Sequence, residues 1–245
     1  MEKSMSKQAK YIRSKLLEDY YTNIYNEFLF KKSTLATGIS YFEKSIEKSW
    51  KKSEKKIHVL EIGGASGEHL HFMDLQNISK YEILDIRKPN RNVTKDLPTK
   101  MRKKVKFKVG NAEELTYKNN SFDRTFSTCL LHHVDDPFSV MWEARRVTKV
   151  GGQIGFILPT DPGVLNRFVK KLITYPRLKS LTTFNPKLMY ALDHKNHVAS
   201  LLEQAKFVFK DDDLEFIYKP FCLKTWNFNL LIVIIATKSR DVKDL

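Results

Sequence analysis

A short β-rich run, Ile57-His58-Val59-Leu60-Glu61, passes directly into Ile62-Gly63-Gly64-Ala65-Ser66-Gly67, and this junction constrains the chain more than any other stretch. Glycine there permits a tight turn and lets backbone approach a ligand with no side chain in the way. A helix-like stretch over residues 68–75 follows, so the junction reads as strand, turn and helix, the opening of an α/β unit.

Further strand candidates lie at residues 81–85, 105–109, 122–129, 152–158, 214–221 and 230–237, with helical patterns between most of them, notably 137–148 and 194–206. Strands alternating with helices imply a parallel sheet covered on both faces. Only residues 222–229 join the last two strands, too few for a crossover helix, so these should pair antiparallel as a closing hairpin. The expected architecture is α/β: a doubly wound, seven-stranded, mostly parallel, Rossmann-like sheet. Before it, residues 8–32 carry Tyr11, Leu16, Tyr20, Ile24, Tyr25 and Phe28 at helical spacing, and a second amphipathic stretch spans 35–50. Residues 1–56 are therefore read as an N-terminal helical extension and 57–245 as the main domain. Within that domain, residues 160–192, with Pro162, Pro176 and Pro186, break the alternation and read as a cap inserted over the strand ends.

A chain of 245 residues, 42% of them hydrophobic, can bury a substantial core. Its longest apolar run, 230–236, is too short to span a bilayer, and no apolar run follows the basic start, so no leader is expected. The two cysteines, Cys129 and Cys222, suggest no disulfide framework and a reducing, cytoplasmic setting. Lys and Arg outnumber Asp and Glu by 43 to 28, a formal charge of +15. Such a field favours anionic partners: nucleic acid, a phosphorylated metabolite or an acidic lipid surface. Much of the excess, however, is Lys on presumptive solvent faces, as in Lys48, Lys51, Lys52, Lys55 and Lys56.

In an open α/β sheet, ligands bind beyond the carboxyl ends of the strands where strand order reverses. A dinucleotide would bring a diphosphate to the glycine turn, and Glu61 beside it would repel that charge. S-adenosylmethionine carries an ammonium and a sulfonium instead, and suits Glu61. Asp85 ends the second strand, about twenty residues past the glycines, where a carboxylate can accept from both ribose hydroxyls. Gly110-Asn111-Ala112-Glu113 follows the third strand and can offer an amide to an adenine edge; Cys129-Leu130-Leu131-His132-His133-Val134-Asp135-Asp136-Pro137 follows the fourth.

These residues resemble the class I S-adenosylmethionine-dependent methyltransferases, particularly the broad group acting on small molecules, over residues 57–158. The resemblance implies S-adenosyl-L-methionine as cofactor and S-adenosyl-L-homocysteine as product. It assigns Glu61, Gly63, Gly64, Ala65 and Gly67 to the methionine part and Asp85 with Ile86 to the ribose. Asn111 and Ala112 fall to the adenine, and the strand end at Cys129 to the cofactor's methionine side. Two positions depart from the family pattern: Ala65 replaces the middle glycine, and Asn111 replaces an Asp.

Methyl transfer to a hydroxyl needs a positioned base. His133, after the fourth strand, and His194 and His197, three apart at the start of the expected 194–206 helix, are the candidates. His132 beside His133 is equally compatible with a helix-capping loop. No third ligand joins His194 and His197, so no metal is expected. Asp161 fits either the pocket or an Asp-Pro-Gly turn, and Tyr20, Tyr21 and Tyr25 fit either a lid or packing. Three acceptors compete: a small-molecule or sugar hydroxyl, for which Arg and Lys of 167–179 could hold a phosphate; an amine, amino sugar or phospholipid head group; and nucleic acid. The last lacks a base-methylation motif, an RNA-binding module and a cysteine placed to attack cytosine, which argues against it. Intact Glu61, Gly63, Gly67 and Asp85 argue against a non-catalytic relative.

Overall fold

The computed structural model describes residues 2–24, 34–89, 95 and 97–241. Its strands are β1 (Ile57–Ile62), β2 (Ile78–Asp85), β3 (Val105–Val109), β4 (Phe122–Thr128), β5 (Thr148–Pro159), β6 (Asp213–Lys219) and β7 (Leu231–Thr237). They form one seven-stranded sheet in the order β3-β2-β1-β4-β5-β7-β6. The first five strands pair parallel, while β7 runs antiparallel to both β5 and β6. The expected α/β sheet and its closing hairpin are both present. β1 sits beside both β2 and β4, so strand order reverses next to its carboxyl end.

One helical turn, α3 (Thr99–Arg102), precedes β3. Alternation along β1 feeds two cores. Leu60 and Ile62 pack with Val140, Met141 and Ala144 of α4 (Pro137–Val147) and with Leu201 and Ala205 of α8 (Val198–Val208). Val59 faces the opposite layer with Tyr81, Phe126 and Ile157, where Ile46 of α2 (Thr34–Glu47) closes the cluster. At the N-terminus, α1 (Glu2–Asp19) continues into a π-helical turn, Tyr20–Ile24. Tyr25 and Phe28, expected on this helix, lie outside the described residues.

Two expectations are corrected. The helix expected over 68–75 is a short 3₁₀ turn, Glu68–His71, with a second at Leu75–Asn77. Gly67 enters the first with φ 90 and no side-chain cap, while Asp74 caps the second by accepting from the Gln76 N–H. Two short turns with a bend between them replace a continuous helix, and α2 covers that face of the sheet instead. The helix expected at 194–206 begins at Val198, because the chain is still turning at residues 194–197. The segment 160–192 is helical: α5 (Val164–Val169), a π-helical turn (Lys170–Thr174), α6 (Tyr175–Leu181) and α7 (Pro186–Asp193).

Two contacts fix α2 and its C-terminal flank. Trp50 lies on bare backbone at Gly155 of β5, where an added Cβ would come within 2.3 Å of the indole Cη2. His69, 3% exposed, lies between Glu43 and Glu47 of α2, 2.9 Å from the latter. Burial opposes charge on this imidazole, but the hydrogen bonds to Glu43 and Glu47 outweigh it and lift His69 from 6.5 to about 10.

Gly155→Ala should destabilise the fold by roughly 1–3 kcal/mol through overpacking against Trp50. Adding Trp50→Phe should recover part of the loss; urea unfolding of the single and double variants checks this. For His69, the folded state holds a proton that the unfolded chain releases above pH 6.5, so its stabilisation is whole below that pH and is lost as pH rises through about 10. His69→Gln should accordingly be least stable relative to the native protein near pH 6.5, with the gap in urea midpoint narrowing by pH 10.

Candidate active site

At the end of β1 the backbone turns through left-handed conformations at Gly63 (φ 73), Ala65 (φ 47) and Gly67 (φ 90). Glycine is required twice over at 63 and 67. A Cβ would come within 2.9 Å of Leu130 at the first and 2.8 Å of Ile83 at the second. Ala65 carries a Cβ in the same region, at a cost of about 1 kcal/mol. Its N–H offsets that strain by donating to Asp85 Oδ2 over 3.0 Å. The other Asp85 oxygen accepts from the Arg87 N–H at 2.9 Å. Asp85 thus ties the turn to the end of β2, and its remaining lone pairs can still accept from a diol. Ile86 beside it is 70% exposed.

Glu61 corrects one expectation. Its side chain lies beneath Gly64, where an added Cβ would come within 2.5 Å of its carboxyl carbon, and it is 1% exposed. The Tyr81 hydroxyl donates to it over 2.6 Å. Burial pushes the carboxyl up to about 8, against the lowering pull of His69 and the Tyr81 hydroxyl. The sequence argument set Glu61 in the pocket as the acid that suits a cationic ligand; the structure places its side chain beneath the turn, bonded to Tyr81.

The third and fourth strand ends are joined through Glu113. Asn111 Oδ1 accepts from the Glu113 N–H over 3.0 Å, and Glu113 Oε1 accepts from the N–H groups of Asp135 and Asp136 at 3.0 and 2.9 Å. Ala112 packs against the core. Cys129 follows β4 with φ 57; burial pushes its thiol up to about 12, which leaves it inert as a nucleophile. These groups fit an S-adenosylmethionine: the glycine turn leaves its backbone open to a ligand, a half-buried carboxylate sits at the neighbouring strand end, and Asn111 and Ala65 are exposed at the mouth.

Across the mouth, three histidines meet. The Asn196 amide donates to the Leu131 and Val134 carbonyls at 3.0 and 2.8 Å, and the N–H groups of Lys195 and Asn196 donate to the His132 carbonyl. This clamps the turn after α7 onto the loop after β4. The His132 ring then lies 3.9 Å from His133 and 4.4 Å from His194, centroid to centroid. Both outer rings are backed by carboxylates. His133 Nδ1 is 3.2 Å from Asp193 Oδ1, and His194 Nδ1 is 3.2 Å from Asp161 Oδ2. Asp193 also accepts from the Tyr21 hydroxyl at 2.6 Å, and Asp161 from Lys170 at 2.5 Å. Burial works to raise both carboxyls, but their partners outweigh it and hold each below the ordinary carboxylate range. His194 is driven down to about 4, chiefly by burial, and His132 well below its usual value for the same reason.

His194 and His197 do not share a helical face, as the sequence suggested. His194 caps the end of α7 and His197 the start of α8, with a turn between them, and His197 is exposed and apart from the cluster. The third ring is His132 instead: one nitrogen of each of His132, His133 and His194 lies within 4.8 Å of the other two, a donor set able to receive a metal ion. Asp193, Lys170 and Tyr21 were not singled out as partners of these histidines from sequence. Asp193 adjoining His194 was the available signal; nothing in the sequence pointed to the other two. Of the cations at 167–179, Lys170 is bound to Asp161, whereas Arg167, Lys171 and Lys179 face outward.

Residues 60–156 match the family model described as a methyltransferase domain. No curated protein sequence matches the chain. Among solved structures, the PH0226 protein of Pyrococcus horikoshii OT3 is 16% identical with a TM-score of 0.60, over 89% of this chain and 98% of that one. Phosphoethanolamine N-methyltransferase 2 of Haemonchus contortus, solved with S-adenosyl-L-methionine, is 17% identical with a TM-score of 0.62, over 93% of this chain and 60% of that one. A possible histamine N-methyltransferase of Thermotoga maritima is 20% identical with a TM-score of 0.53, over 82% and 89%. These likenesses show a common fold, and the family match gives residues 60–156 of this chain the sequence pattern of a methyltransferase domain.

Proposed function

We propose that the protein methylates a hydroxyl of a small acceptor, a sugar or metabolite, with His133 as general base and Asp193 as the group that orients it. The observation carrying this reading is the carboxylate-backed imidazole at the end of β4. Asp193 offers both its carboxylate and its backbone carbonyl to Nδ1, each at 3.2 Å. With two acceptors facing it, Nδ1 carries the proton and Nε2 keeps the lone pair that takes one from an acceptor hydroxyl. His194, half-buried and held neutral, and buried His132 wall the pocket on the cap side and exclude water.

The cofactor, when bound, supplies a methyl group already activated on a sulfonium, so the protein's part is alignment and proton removal. In this reading the backbone of Gly63, Gly64, Ala65 and Gly67 receives the methionine part, with Cys129 at its side and Glu61 supporting the turn from below. Asp85, next to Ile86, accepts from the ribose hydroxyls, and Asn111 with Ala112 meets the adenine. An amine acceptor is the second reading, favoured by two structural neighbours titled as phosphoethanolamine and possible histamine N-methyltransferases. A cytoplasmic location is part of the proposal; among the described residues no helix is long and apolar enough to cross a membrane.

Asp85→Ala should weaken S-adenosylmethionine binding by about 1–3 kcal/mol in calorimetry, through loss of hydrogen bonds at the ribose. His133→Gln should leave that binding intact and lower kcat by roughly 10²-fold or more on a hydroxyl acceptor identified with a labelled methyl donor. Full turnover by the variant would remove His133 from the chemistry. Turnover confined to amines would move the acceptor to the second reading.

A further inference from the structure

The cap helix is amphipathic in the wrong sense for a helix that meets water. From Val164 to Leu181 the chain stays helical through α5, the π-helical turn and α6. Its buried side carries polar residues four apart: Asn166, Lys170 and Thr174, 8%, 7% and 4% exposed. Its outer side carries apolar residues at the same spacing: Val164, Phe168 and Leu172, 47%, 61% and 58% exposed. A surface helix of a soluble protein has the opposite polarity. The patch does not end with the helix. Gly163 packs against the backbone of Trp226 and Asn227, which brings the β6–β7 connection, with Phe228 55% exposed, alongside the start of α5.

Charge decides what covers this face. Between Pro162 and Leu192 there is no Asp or Glu, while Arg167, Lys170, Lys171, Arg177, Lys179 and Lys187 are basic. Arg167 and Lys171 are exposed and flank Phe168 on the helix. The β6–β7 connection likewise holds Lys224 and no acid. A second copy of this face would set cation against cation, and lysine is depleted at the centres of protein interfaces. Apolar side chains ringed by cations instead match an anionic bilayer, which takes the first at the acyl boundary and the second at its head groups.

We infer that the cap is a membrane-docking element: Val164, Phe168, Leu172 and Phe228 enter the surface of an anionic phospholipid bilayer while Arg167 and Lys171 engage its head groups. The inner face of the same helix carries Lys170 to Asp161 and His194, so docking brings the pocket rim to the lipid surface. The inference does not depend on which acceptor is methylated.

Sedimentation of the full chain with vesicles of phosphatidylcholine, alone or mixed with phosphatidylglycerol, tests it. Binding is expected to the mixed vesicles, weakening with salt and falling about tenfold or more in Phe168→Ser/Leu172→Ser. Arg167→Glu/Lys171→Glu should also weaken it. Both double variants should keep the native thermal midpoint and S-adenosylmethionine affinity, since all four side chains are exposed. A native chain that stays in the supernatant overturns the inference, as does equal binding by the Phe168→Ser/Leu172→Ser variant. A lipid-free dimer that this variant converts to monomer would assign the face to a second copy, and so would also overturn it.

Discussion

Parallel pairing of β1 with both β2 and β4 is the constraint from which the site follows. Parallel strands end at the same edge, so the loops after β1, β2, β3, β4 and β5 all emerge together. Glu61, Asp85, Asn111, Cys129 and Asp161 each stand at or just after one of those ends, and the sheet delivers them to one rim although a hundred residues separate the first from the last. Backbone hydrogen bonds to side chains then lock neighbouring loops. Asp85 takes N–H groups from its own loop and from the glycine turn, and Glu113 takes two from the loop after β4. Carboxylates hold the rim, and they do so by binding backbone.

The sheet was legible because its signals are local: short β-rich runs alternating with helical patterns, glycines at one junction, and a final connection too short for a crossover. Family motifs fell within one hundred residues of contiguous sequence, and the family match covers nearly the same span. The misreadings have physical causes. Residues 68–75 carry helical spacing, yet a left-handed glycine at the entry and a capping Asp74 divide them into two short turns. Spacing put His194 and His197 on one helix because it cannot see that Asn196 is committed to the carbonyls of a loop sixty residues away. Glu61 looked like a free carboxylate because sequence gives its place at a strand end but not the α2 layer above it, which turns that place into core.

The histidine cluster joins separate parts of the chain. The loop after β4 supplies His132 and His133, the loop after β5 supplies Asp161, and the end of α7 supplies Asp193 and His194. Each carboxylate also holds a donor, Tyr21 in one case and Lys170 in the other, so neither rests as a bare buried charge. The tilted rings can lie so close because burial and the neighbouring cation keep His132 and His194 neutral.

Tyr21 has a reach that follows from its position between two layers. Its ring lies 4.2 Å under the Arg87 guanidinium, two residues past Asp85, and its hydroxyl grips Asp193 behind His133. One side chain from outside the sheet therefore spans the two halves of the rim. Arg87 and Asp193 are thereby bridged by one phenol. The helical segment ahead of the sheet thus joins the loop after β2 to the end of α7 through a single side chain.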